Sequence, residues 1–153
     1  MKKHLSLGSL LFFALIILSC QKEEVPDDPL LGQWQNVSTQ DDKGTTIVWE
    51  EIKSTLVALI PEYSCMDFTC SVNKNTVTVS YTGPNQNANS CNTPSLSIYT
   101  WSAEGSNYTF IQGTNVVKYT ISFSNNDNRM TWTDQTNNSV TVWDRIVTEN
   151  TTE

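Results

Sequence analysis

Residues 68–81 read Phe68-Thr69-Cys70-Ser71-Val72-Asn73-Lys74-Asn75-Thr76-Val77-Thr78-Val79-Ser80-Tyr81. On either side of an Asn-Lys-Asn turn, apolar residues alternate with small polar ones. A period of two is the mark of a strand with one buried face, and two such runs across an Asn-rich turn make a hairpin. If Asn73 pairs with Thr76, then Val72 lies opposite Val77, Cys70 opposite Val79 and Phe68 opposite Tyr81. Cys70 then belongs to the apolar face, where a thiol behaves as a small hydrophobe.

The same pattern extends both ways along the chain. Upstream, residues 32–39 and 45–49 read as strands separated by the polar turn 40–44. Ile52, Leu56, Leu59 and Ile60 recur at helical spacing and Pro61 stops them, which predicts one short amphipathic helix. Downstream, a polar loop over 83–94 leads to strands at 96–101, 108–112, 116–123, 130–133 and 140–147, with turns at 104–106, 113–115 and 125–128. Along 116–123, Val117, Tyr119, Ile121 and Phe123 share one face. On the last strand Trp143 and Arg145 share a face opposite Val140, Val142 and Ile146, and the pattern leaves open which of the two is internal. Eight or nine short strands joined mostly by hairpins make an all-β fold. An antiparallel up-and-down barrel suits them because closure removes exposed edges, and a meandering β-sandwich is the alternative.

The start of the chain follows different rules. Lys2 and Lys3 precede an almost unbroken apolar run over 5–18, shorter than the roughly 20 residues a membrane-crossing helix needs. The run ends Ile17-Leu18-Ser19-Cys20, which resembles the lipobox of bacterial lipoproteins. The resemblance implies a signal peptide over 1–19, diacylglycerol on Cys20, and a palmitate-type acyl anchor on the outer membrane. Gln21-Lys22-Glu23-Glu24 resembles the acidic tag that sends lipoproteins to the cell surface in one group of Gram-negative bacteria. Residues 20–30 then read as an acidic tether, 31–147 as one domain, and 148–153 as a frayed tail.

Composition excludes several functions. The net charge is −7, and it becomes −9 once Lys2 and Lys3 leave with the leader. Such a surface repels phosphate backbones, so nucleic-acid binding is not expected. The single histidine, His4, lies in the leader. The domain therefore has no imidazole for a Ser-His-Asp or Cys-His site, or for the usual zinc and copper ligand sets. Catalysis would fall to carboxylates such as Glu50, Glu51, Glu62, Asp67, Asp134 and Asp144. Helix-start and turn positions account for several of these, and no acid–base pair stands out, so no enzyme and no cofactor is expected. Asn125-Asn126-Asp127-Asn128 lacks the spaced carboxylates of a calcium loop and reads as a turn, which leaves no expected metal site.

With Cys20 acylated, Cys65, Cys70 and Cys91 remain. The hairpin register buries Cys70 and puts Cys65 at the end where the loop bearing Cys91 begins. That favours a Cys65–Cys91 disulfide, with Cys70–Cys91 as the alternative.

Leu31-Gly32-Gln33-Trp34 at the domain start and Trp143-Asp144-Arg145 in its last strand resemble the lipocalins, whose first strand opens on Gly-x-Trp. The middle is similar to small lipocalin-like bacterial lipoproteins: an apolar segment ending at Pro61 and Cys65, then Asp67, a hairpin, Cys91 and a tryptophan strand. Cys70 departs from that pattern. The resemblance implies a lipocalin-like barrel closed at one end by Arg145 stacked on Trp34. It also implies a mouth able to hold a small apolar or sugar-like ligand, with Trp49, Trp101, Tyr119 and Trp132 as candidates to line it. A structural or accessory envelope lipoprotein docking on another protein is the competing reading.

Overall fold

The computed structural model describes residues 27–147 except 86, 88 and 89. The leader, Cys20, the first part of the tether and the tail 148–153 lie outside the described residues. The chain runs β1 (Gly32–Gln40), β2 (Thr46–Val48), α1 (Trp49–Leu59), a 3-10 turn (Pro61–Cys65), β3 (Asp67–Val72) and β4 (Thr76–Thr82). It continues with β5 (Pro84–Asn85), β6 (Ser90–Cys91), β7 (Ser95–Glu104), β8 (Asn107–Gln112), β9 (Asn115–Ser124), β10 (Arg129–Asp134) and β11 (Val140–Arg145).

Eight of these strands form an antiparallel meander, β1-β3-β4-β7-β8-β9-β10-β11, and β11 pairs back onto β1 to close a barrel. Closure decides between the two architectures left open by the sequence in favour of the barrel. The β3–β4 hairpin has Val72 opposite Val77, Cys70 opposite Val79 and Phe68 opposite Tyr81, with Asn73 N–H donating to Thr76 O at 3.0 Å. The internal face of β11 is the one carrying Trp143, which pairs with Met130 on one side and Asn36 on the other.

Two features depart from a plain meander. The bulge at Val37 shifts the β1 register, and the strand changes partner there: Gly32–Gln35 pair with β3, whereas Ser38–Gln40 pair with the short β2. A bulge bends its strand, so the wall opens between β1 and β3 at this point. The helix that follows β2 is packed there. Its inward stripe is the buried Trp49 with the partly buried Leu56 and Val57, which pack with Ile60, just past the helix end, against Tyr63 and Met66. Ile52 and Leu59, expected on that stripe, are exposed. The difference arises because the helix starts at Trp49, one residue before Glu50, and this large ring sets which face turns inward.

The second departure is the loop over 83–94, where β5 and β6 form a small ribbon. The Cys65–Cys91 disulfide ties this ribbon to the 3-10 turn, and Cys70 is free and buried. A Cβ at Gly83 would meet the Tyr81 ring at 2.8 Å, so a larger residue there would have to move that exposed ring.

Candidate functional site

One end of the barrel is plugged. Leu30 and Trp34 are fully buried, and Trp34 Nε1 donates to Leu30 O at 2.9 Å. The Arg145 guanidinium carbon lies 4.1 Å from the Trp34 ring centroid. Its Nη1 and Nη2 donate to Leu31 O and Pro29 O, each at 2.7 Å, and its Nε donates to Asp127 O at 3.0 Å. Gly32 has φ +135, and a Cβ there would collide with Arg145 Nη1, so the first position of Gly-x-Trp admits no side chain. The Tyr108 hydroxyl donates to Asp28 at 3.0 Å, and its pKa is raised by burial first and then by the Asp28 charge. Residues 28–30, read from the sequence as tether, are therefore part of the domain. They pack because Leu30 is apolar enough to enter the barrel and the carbonyls around it meet Arg145.

The middle of the barrel is filled with rings. Phe68–Trp143, Trp132–Trp143 and Phe110–Trp132 have centroids 5.2 Å apart, with Phe110–Tyr119 at the same spacing and Tyr119–Trp132 at 5.4 Å. Rings at that separation are in van der Waals contact and leave no space for a ligand between them. Burial, then the Asp134 charge and the neighbouring Tyr99, pushes the Tyr119 hydroxyl up to about 12.

The other end is where the polar chemistry is unfinished. A groove of about 410 Å³ lies between the first turns of α1 and the bulged stretch of β1, lined by Gln35, Asn36, Val37, Val48, Trp49, Glu50, Lys53 and Asp144. Asn36 is 5% exposed and Trp49 is 7% exposed, yet neither Asn36 Nδ2 nor Trp49 Nε1 has a hydrogen-bond acceptor. Trp143 Nε1, on the ladder partner of Asn36, also has none. A buried donor without an acceptor costs about 1–3 kcal/mol, and these three sit close around the bulge, closed to solvent beneath the groove lining. The helix adds to this, since Val48 at its N-cap makes no side-chain cap. Asp144 is fixed on the far side by Arg129, at 2.6 and 2.7 Å.

The four aromatic residues singled out in the sequence occupy three places. Tyr119 and Trp132 touch in the core, whereas Trp101 packs on Tyr108 near the plugged end and donates to Asn73 O at 2.9 Å. Trp49 alone lines the groove, held edge-on by Phe68 and Tyr81. Asn36 was not singled out. Its signal was present nonetheless: it is a polar residue two positions after Trp34, on the face that strand alternation buries. Among the described residues no three metal-ligating side chains come together, and Asn125, Asn126 and Asp127 form a turn with positive φ.

No protein-family model and no curated protein matches the chain. Among solved structures, a lipocalin-like protein from Bacteroides uniformis superimposes with a TM-score of 0.51 at 9% identity, over 78% of this chain and 100% of that one. A variant of the fluorescent protein UnaG matches at a TM-score of 0.36 and 11% identity, over 78% of this chain and 98% of that one, too loosely to carry an argument. The first match, taken with barrel closure and the plugged end, shows that the fold is lipocalin-like.

Proposed function

We propose that this protein is a membrane-anchored lipoprotein, cut before Cys20, lipidated there and displayed on the cell surface. In this reading its lipocalin-like domain holds a small apolar or sugar-like ligand without catalysis. The observation that carries the binding reading is the groove of about 410 Å³ beside α1, whose lining sets Trp49 among the polar side chains of Gln35, Glu50, Lys53 and Asp144. In this reading the ligand lies in that groove, since the barrel interior is filled by its own rings. The basic start, apolar run and lipobox support the anchor, and the acidic residues after Cys20 support outward display.

Native mass spectrometry of the protein taken from its own membrane tests the binding reading: a retained small molecule is expected, and loss of it in the double variant Glu50→Ala, Lys53→Ala. The same spectra read the acyl mass on Cys20, which Cys20→Ala should abolish. The double variant also tests the groove in a second way. Glu50 is exposed and Lys53 partly so, and stability should hold within about 1 kcal/mol while binding is lost. A variant that loses stability but keeps its ligand would place the site elsewhere.

A second reading, an accessory protein docking on an envelope partner, draws on Leu96, Ile98, Ile111 and Val116, four exposed apolar side chains on β7, β8 and β9. A protein rather than a small molecule in the native spectra, released by Ile98→Lys, would favour it.

A further inference from the structure

We propose that the outer face of β7, β8 and β9 pairs with the same face of a second copy of this chain, forming a two-fold dimer; the proposal rests on reading that face as a docking surface.

Strand alternation gathers the exposed apolar residues. Tyr99, Phe110 and Ile121 pack in the core, so Ile98, Ile111 and Val116, at the opposite parity on the same strands, point outward. Thr100 is the ladder partner of Ile111, and Ile111 is the partner of Val116. Ile98 lies two residues before Thr100 on the same face, and Leu96 two residues before Ile98. Positions so related are about 5–8 Å apart, so the four apolar side chains form one patch, each between 40% and 57% exposed. Hydroxyls flank it: Thr78 and Ser80 pair with Ile98 and Leu96 from β4, and Thr120 and Ser122 continue β9. An apolar centre with a polar rim is the anatomy of a protein interface.

Charge selects the occupant. Residues 27–147 carry twelve acidic and six basic side chains. Across the whole of β4, β7, β8 and β9 the only charged residues are Glu104 and Lys118, one of each sign. The rest of the domain holds the entire acidic excess. Two copies approaching through that acidic surface repel each other, whereas this neutral face meets its own image without repulsion. The bilayer is a poorer occupant. Asp27 is held at 3.6 Å by Lys74 in the β3–β4 turn, and β4 and β7 run away from that turn, from the Thr76–Thr100 pair to the Ser80–Leu96 pair. Lipid on Cys20 therefore draws the opposite end of this wall toward the membrane.

Size agrees with a reversible contact. Strands lie about 4.8 Å apart and rise about 3.3 Å per residue, so four strands over about eight residues make a plane of roughly 500 Å². Two such planes with their side-chain relief bury on the order of 1,200 Å², the lower end of a specific interface.

The test is cross-linking with a short, membrane-permeant bismaleimide in cells expressing the full-length protein with one added cysteine. Thr100→Cys stands in the centre of the patch, and Lys43→Cys, in the exposed β1–β2 turn, measures random collision. Native Cys70 is buried, and the protein without an added cysteine sets the background. Thr100→Cys is expected to give a species of twice the chain mass, about tenfold above the Lys43→Cys level. Adding Ile98→Lys places like charges in the contact and should cut that yield about tenfold. Ile98 and Val116 are about half exposed, so Val116→Lys repeats the test should Ile98→Lys lower the melting temperature. A cross-linked species of another mass, lost with Ile98→Lys, overturns the second copy and leaves the docking face standing. Cross-linking at Thr100→Cys no stronger than at Lys43→Cys, or unmoved by both lysine substitutions, overturns the dimer and the docking face together.

Discussion

Removing the Arg145 side chain should unplug the barrel, and the cost can be worked from its contacts. Nη1 and Nη2 each donate to a partly buried carbonyl at 2.7 Å, and the guanidinium covers the Trp34 ring at 4.1 Å. A hydrogen bond from a charged group contributes about 1.5–3 kcal/mol, and a partly desolvated cation–π contact about 1–2. The Nε bond to Asp127 O is solvent-exposed and adds little. These contributions share one side chain and are not additive, so Arg145→Ala should cost about 3–5 kcal/mol, a large part of a typical domain's 5–15. Lysine keeps the charge but cannot reach two carbonyls from one planar fork, so Arg145→Lys should still lose about 2 kcal/mol. The assay is equilibrium urea unfolding followed by tryptophan fluorescence, with the midpoint read at constant slope. Arg129→Met is the control. Its bonds to Asp144 are as short, but both side chains are about two-fifths exposed, and the loss should stay near 1 kcal/mol or below. The reasoning fails if Arg145→Ala lies within 1 kcal/mol of the parent, or if Arg129→Met costs as much as Arg145→Ala.

Reducing the Cys65–Cys91 disulfide, which spans 26 residues, should remove about 3–4 kcal/mol by chain entropy, visible as a lower melting temperature with reductant; an unchanged transition would show that the 3-10 turn and ribbon hold without it. Burial pushes the Cys70 thiol up from 9.0 to about 12. Its folded value lies above its unfolded one, so this stabilisation is complete below pH 9 and is lost as pH rises to 12. Alkaline unfolding between those values should be shallower in Cys70→Ala, and a thiol reagent at pH 8 should leave native Cys70 untouched; rapid labelling of the folded protein would contradict its burial.

Much of the fold could be read from local chemistry. The 68–81 hairpin has a turn that fixes its own register, so Cys70, Val72 and Phe68 fall where alternation puts them. Barrel closure is non-local: it depends on β1 meeting β11, and only the Gly32, Trp34 and Arg145 pattern hinted at it. Residues 28–30 read as tether because Asp28 and Pro29 dominate their composition. What packs them is the single Leu30 and three carbonyls, and backbone carbonyls leave no mark in a sequence. The groove was hidden for a similar reason. It exists because Val37 is the extra residue of a bulge, and nothing distinguishes a bulged valine from a paired one. Choosing aromatic residues as pocket candidates followed their chemistry, but in a closed barrel of this size rings are also the best interior filling, and Trp132 and Tyr119 serve that role.

That competition for the interior separates binding from stability in a way two substitutions can expose. Trp132 is 4% exposed and touches Phe110, Tyr119 and Trp143, while its N–H is directed at Met130 Sδ at 3.1 Å. Trp132→Ala should therefore cost about 3–5 kcal/mol of stability, as expected for a buried ring, and below its melting temperature leave the affinity for a groove ligand unchanged. Trp49→Phe keeps a ring against Phe68 and Tyr81 but cuts back the side chain that walls the groove. It should hold stability within about 1 kcal/mol while lowering affinity about tenfold. A ligand lying inside the barrel demands the reverse, with affinity following Trp132 and indifferent to Trp49. Measuring both quantities in both variants decides whether the barrel is the container or the scaffold, and the ring spacing argues for the scaffold.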